Sequence, residues 1–298
     1  MSTPVTFDSL MARVGAGERL LADDIMQLAT TPDILPLGML ADAVRRRLHG
    51  TQVTYLRVAA CAFDSPFADA VPPAARHLRI TGAPPTLGVA LAAVESAKAV
   101  AGERTVSGFS WLDVERFAES GSVAHALEQL KARGLDSLVE LPLDRVADIE
   151  AALDRLGAAG FQRIRLSIEK IPAADRTALL LRAAELQDKY ASIQAIDPLP
   201  TSLHAFRPTT GYEDVKMVAL ARLAAPNIPS VQVDWPRYGP KLAQVALTFG
   251  ADDFDGVPAS DEAPDGRRRA PVEEIRRNIE AAGFVPAERD SHYTLVGS

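Results

Sequence analysis

Cysteine is nearly absent from this chain: Cys61 is the single one among 298 residues. One thiol excludes an intrachain disulfide and any metal cage built of thiolates alone. Long apolar runs are missing too, none reaching the ~18 residues of a membrane span, so no membrane partner is expected. The N-terminal MSTPVTFDSLMARV lacks a basic start followed by an apolar core, and the expected location is cytoplasmic. A net charge of -7 leaves no concentrated basic face, which argues against a nucleic-acid partner. The two short arginine runs, 45–47 and 267–269, read as a helix C-terminal turn and a solvated loop. No G-x-G-x-x-G phosphate loop, Ser/His/Asp nucleophile elbow, H-E-x-x-H pair or Walker loop occurs.

What is present is ordinary globular composition, 47% apolar and 24% charged, over a length that can bury roughly three quarters of its unfolded surface. The pattern turns on SVQVDWPRYGPKLAQVALTFGADDFDGV, residues 230–257. Residues 230–235 alternate like a strand, 238–250 carry apolar side chains at helical spacing, and 252–257 alternate again. A strand, a helix and a strand in so few residues make a parallel β-α-β unit, whose ligand-facing end lies where the strands finish.

Two amphipathic helices are expected in residues 17–50, the second over 32–49, as an N-terminal helical cap (1–50) before a barrel (51–298). Strands are then predicted at 52–61, at HLRITG, and at 104–110, 137–143, 163–169 and 192–197, with helices at 87–101, 111–134, 145–160, 173–190 and 212–224. Adding the two strands of the 230–257 unit gives eight, and the fold class expected is α/β, a (β/α)8 TIM-type barrel. Its first crossover is thin, because the loop FDSPFADAVPPAAR with its three prolines leaves no room for a long helix. Residues 273–283 and the closing ERDSHYTLV fall outside the count and should pack against the barrel.

With these blocks in order, GERLLADDIMQLATTPD, ALEQLKARGLDSL, RAAELQDKYASIQAIDPLP, YGPKLAQVALTFGADDFDG and PAERDSHY, the chain resembles the radical-SAM family of aminofutalosine synthase and cyclic dehypoxanthine futalosine synthase of menaquinone biosynthesis. The resemblance spans nearly the whole chain and implies the radical-SAM barrel. In that family the first strand runs into C-x-x-x-C-x-x-C, whose thiolates hold three irons of a [4Fe-4S] cluster while S-adenosylmethionine chelates the fourth. Here that place reads VAACAFDSPFAD, with Cys61 alone, and His49 and His77 are not spaced to substitute. The family's Gly-Gly element after the second strand is Thr81-Gly82-Ala83; its glycine-rich turn after the fourth is VELPLDR, and its Tyr/Gly/His segment after the fifth is SIEKIPAAD. The expectation is a divergent member with no iron–sulfur cluster, unable alone to cleave S-adenosylmethionine. It would bind a nucleoside-like or carboxylated aromatic small molecule, or act as a non-catalytic partner of a radical-SAM homologue.

Asp197, Asp234, Asp253 and Asp255, with Glu140 and Glu169, fall at predicted strand ends. Gathered there they could hold an acid and a base or a divalent cation; equally, Asp at such junctions caps helices, or pairs with Lys170, Arg207 and Lys241. Asp234, Asp197 and the loop residue His204 are the candidate catalytic groups of a cluster-independent lyase or hydrolase. Trp235 and Tyr238 are candidates to stack on a ring, with Thr81, Glu169 and Asp255 as further ligand contacts and Phe109 and Trp111 as weaker stacking positions. No residue is assigned as a metal ligand and no cofactor is predicted, a divalent metal remaining the alternative. Cys61 reads as packing rather than as a nucleophile, with no adjacent histidine to activate it.

Overall fold

The long strand β1 (Gln52–Ala62) is rich in Val, Tyr, Leu and Ala and is buried at nearly every second position, so it needs cover on both faces. That requirement sets the architecture. A computed structural model describes residues 6–67, 71–118, 121–170, 173–202, 210–263, 265–266 and 268–296. After β1 come β2 (His77–Thr81), α4 (Leu87–Ala101), β3 (Thr105–Gly108), α5 (Trp111–Phe117), α6 (Val123–Ala132), β4 (Leu141–Pro142) and α7 (Ile149–Ala158). Then follow β5 (Ile164–Ile168), α8 (Ala173–Tyr190), β6 (Ile193–Pro200), α9 (Gly211–Ala224), β7 (Ser230–Asp234), α10 (Trp235–Leu247), β8 (Asp253–Pro258), α11 (Pro271–Ala281) and β9 (Val285–Glu288). Three helices precede them all: α1 (Phe7–Gly15), α2 (Ala22–Thr30) and α3 (Ile34–His49).

The sheet runs β3-β2-β1-β8-β7-β6-β5-β4, with every neighbouring pair parallel. Its two ends meet through isolated parallel bridges, Ser107 to Ser137 and Ser110 to Glu140. This is the eight-stranded TIM-type barrel that the alternation predicts, with one seam joined by bridges instead of a ladder. At the seam Phe109 takes a left-handed backbone, φ 62°, which is costly for a bulky residue. The turn lets the Phe109 carbonyl accept from the Val139 N–H at 2.9 Å while the ring packs edge-on against Phe117. The thin first crossover is present: among the described residues between β1 and β2 there are only turns.

Among the described residues the leading helices pack against the outer helices of the barrel. The buried face of α3, with Leu37, Leu40, Ala41 and Val44, packs on α9, and α2 reaches α8 and α9. Helix α9 is consequently buried from Asp214 to Ala224 except at Lys216, as a helix covered on nearly all sides must be. Where α9 meets the β7–β8 unit, the buried Arg222 donates from Nε to the Gly250 carbonyl at 3.0 Å and pairs with Asp252. Gly250 has φ +104°, and a Cβ there would lie 2.8 Å from the Arg222 Cβ, so this approach requires glycine.

The segment after the barrel does more than pack against it. Strand β9 adds in parallel to the lower half of β1, Gln52 opposite Val285 to Tyr55 opposite Glu288, directly below β2. The residues after it turn into the barrel floor. Among the described residues no helix is long and apolar enough to cross a membrane.

Candidate functional site

Inward positions along the strands stack polar groups in layers. On the floor, Asp253 accepts from Arg289 Nε and Nη2 at 2.5 and 2.6 Å and from Gln232 at 2.7 Å, while Gln232 also donates to the Tyr293 hydroxyl at 2.7 Å. Beside them the buried His77 places Nδ1 2.8 Å from Thr105 Oγ1 and Nε2 2.6 Å from Ser107 Oγ, and Thr105 meets Ser291 of the closing segment. Burial, helped by the positive Arg79, pushes His77 down to about 3, so the ring is neutral.

The middle layer holds two ion pairs. Arg79 of β2 donates from Nη2 to both oxygens of Asp255 at 2.9 Å. Burial would raise the Asp255 carboxyl, but Arg79 and Arg165 outweigh it and hold it well below the usual carboxylate range. Arg165 of β5 donates to Asp197 at 2.8 Å and to Gln232 at 2.9 Å. Burial disfavours its charge, yet Asp197, Asp255, Glu140 and Asp234 around it keep it a cation. Burial pushes Asp197 up to about 7 against the pull of Arg165, with Asp234 adding to the rise.

Above these pairs the mouth opens into a cavity of about 950 Å³. Its walls are largely apolar, from Val58, Ile80, Phe109, Pro236 and Pro258, and its polar lining includes Arg79, Thr81, Glu140, Arg165, Asp234 and Arg237. Asp234 also caps α10, accepting from the Arg237 N–H at 3.0 Å.

The cavity gathers some of the residues that the sequence singles out and not others. Asp234, Thr81, Glu140 and Phe109 line it. Asp197 is fully buried beneath, bonded to Arg165 and to the Leu199 N–H, and does not reach the cavity as a catalytic group would have to. Trp235 packs against Phe254, ring centroids 5.6 Å apart, because it begins α10 facing the sheet instead of the ligand end. Tyr238 gives its hydroxyl to the Pro200 carbonyl at 2.5 Å, and burial pushes its pKa well up. Glu169 pairs with Arg145 on the rim, and Trp111 is fully buried in the core. Asp255 serves Arg79 and faces the chamber below. His204 lies outside the described residues. Strand-end spacing does not single out Arg79, Arg165 and Arg237, although an arginine at an inward position inside an apolar strand, as in HLRIT and RIRLSI, is itself a signal of a lumen charge.

Residues 195–297, from β6 to the segment on the barrel floor, match the family described as CofH/MqnC C-terminal region. The chain is similar to proteins named as futalosine synthases. It is 25% identical to the aminodeoxyfutalosine synthase of Thermus thermophilus, over 95% of this chain and 94% of that protein. To the cyclic dehypoxanthine futalosine synthase of Halalkalibacterium halodurans it is 24% identical, over 63% of this chain and 58% of that one. The crystal structure of methylornithine synthase superposes with a TM-score of 0.66 at 17% identity, covering 94% of this chain and 97% of the other, which shows a shared fold. The resemblance read from the sequence blocks therefore stands. Within the CofH/MqnC C-terminal region lie β7, α10, β8, β9 and the floor residues Arg289 and Tyr293, so that region supplies one wall of the mouth and the base beneath it.

Proposed function

We propose that this chain is a cluster-less member of the futalosine-pathway radical-SAM family. It binds a nucleoside-like or carboxylated aromatic molecule in the barrel mouth, or serves as a non-catalytic partner of a radical-SAM homologue in menaquinone biosynthesis. The observation that carries the reading is the sulfur inventory. A [4Fe-4S] cluster requires thiolate ligands, whereas this chain has one cysteine, 3% exposed on β1, with burial raising its pKa and favouring the protonated thiol. The donor set does not fit the cluster, and among the described residues no three His, Cys, Asp or Glu side chains converge as a metal site. The roomy, mostly apolar cavity with a few convergent polar groups supports ligand binding.

Anaerobic reconstitution with iron and sulfide is expected to leave the isolated chain without stoichiometric four-iron absorbance, and no 5'-deoxyadenosine should form from S-adenosylmethionine. A futalosine-type nucleoside at a hundred times its dissociation constant should stabilise the fold by ~2.7 kcal/mol. A reconstituted cluster would overturn the reading.

A second reading, a cluster-independent lyase or hydrolase, draws on Asp234, a carboxylate that lines the cavity. Under it Asp234→Asn would abolish turnover while costing about 1 kcal/mol or less through the helix cap, since Asn caps as well as Asp. A metal-assisted form would also show stabilisation by Mg2+, Mn2+ or Zn2+ that Asp234→Ala removes.

A further inference from the structure

We propose that the mouth holds its ligand by an anionic group, a carboxylate or a phosphate, seated on the free edge of the Arg79 guanidinium. This rests on the reading of the mouth as a ligand site. A guanidinium offers five N–H donors in a planar fork. Asp255 occupies Nη2 alone, at 2.9 Å from each oxygen. Nη1 has no acceptor among the described residues. It lies 3.8 Å from where a Cβ of Gly256 would stand, and Arg79 and Gly256 both line the cavity, so this edge faces the mouth.

The wall beside it is built open. Between Tyr55 and Arg57 the register of β1 with β8 shifts, a bulge that contains Gly256 at φ +73°. A side chain there would be strained and its Cβ would come within 3.2 Å of the Pro236 ring. The bulge thus keeps the approach to Nη1 clear.

Arg79, Arg165 and Arg237 line the mouth together with the carboxylates of Asp113, Glu140 and Asp234, and two of those carboxylates are already engaged. Asp113 is held by Ser110 and Arg116, and Asp234 by the Arg237 N–H with the Arg237 guanidinium 3.6 Å away. Asp255, anchored ionised beneath, fixes the plane of Arg79 so that its second edge is presented without reorganisation. Arg165, kept cationic, lines the same cavity. The apolar remainder of the wall suits a ring or hydrocarbon body behind the acid group.

The test compares benzoate, inorganic phosphate and the neutral isostere benzamide by thermal shift and calorimetric titration. The proteins are the wild type, Arg79→Gln, and the double variant Arg79→Gln with Asp255→Asn. The double variant removes both charges together and is read if the single one, which strands a buried carboxylate, fails to fold by circular dichroism. Benzoate or phosphate is expected to bind the wild type and benzamide not, with affinity falling about tenfold or more in the variant. Whichever anion binds tells a carboxylate from a phosphate. Equal binding of benzoate and benzamide, or anion binding that the variant does not weaken, overturns the role of Arg79 and leaves the mouth reading standing. A response to futalosine-type nucleosides with none to either anion does the same. No response to any probe, nucleosides included, sinks the mouth reading and this inference with it.

Discussion

Arg289→Ala is expected to lower the free energy of unfolding by about 3–5 kcal/mol, read from urea or guanidinium midpoints at unchanged m-value. Asp253 is fully buried, and its two oxygens are held by Arg289 at 2.5 and 2.6 Å. Truncating the arginine leaves a carboxylate on the barrel floor facing only the neutral donors Thr54 and Gln232 among its hydrogen-bond partners. The guanidinium also lies 3.9 Å from the Tyr293 ring centroid and donates to the Asp290 carbonyl at 2.9 Å, so its loss loosens the closing segment as well. Enhanced proteolysis after residue 288 should accompany the loss. Replacing both partners, Arg289→Met with Asp253→Leu, should recover much of the stability, because removing a buried pair whole is far less costly than orphaning one charge. A single variant as stable as the wild type would show that the floor pair is not a structural anchor.

The second large effect is with acid. His77 is buried and pushed down to about 3 from an ordinary 6.5. Between those values the unfolded chain binds a proton at this residue and the folded chain does not. The contribution of His77 to stability is therefore fully present above pH 6.5 and is lost as pH falls toward 3. From pH 7 to pH 4 the loss amounts to about 3 kcal/mol. Asp197 acts with the opposite sign over part of the same range: its pKa, pushed up to about 7, makes the folded state the better proton binder below that value. The measurement is consequently a difference. The acid loss of the wild type should exceed that of His77→Gln, whose amide can still donate and accept between Thr105 and Ser107, by about 3 kcal/mol across this range. Parallel pH profiles for the two proteins would mean that His77 already titrates normally in the fold.

How much of this was legible in the sequence depends on how local the cause is. Helices α4 and α8 fall on residues 87–101 and 173–190 as their periodicity predicts, since apolar spacing is a property of the segment itself. Helix α10 begins three residues earlier than its apolar spacing predicts, because Asp234 caps it and Pro236 suits a first turn. Strand β4 shrinks from the predicted 137–143 to Leu141–Pro142, because the left-handed Phe109 replaces a ladder with separate bridges. Strand β9 was hidden by Pro286, which normally speaks against a strand and is tolerated here beside β1. Helix α1 lies before the two leading helices that the pattern predicts, although Thr6 caps it. At the site, strand-end reasoning found Asp234, Glu140 and Thr81, but a strand end does not say which side chain reaches the cavity. Asp197 and Asp255 were claimed by arginines from β5 and β2, a pairing between distant segments that no local pattern encodes.

The addition of β9 to β1 has a consequence for biogenesis. The lower edge of the first strand stays unmatched until residues 285–288 have been made, and Asp253 meets its arginine only when residue 289 follows. A nascent barrel held short of residue 285 would expose an open β edge and leave Asp253 without its cation, which marks it as a client for chaperones during synthesis.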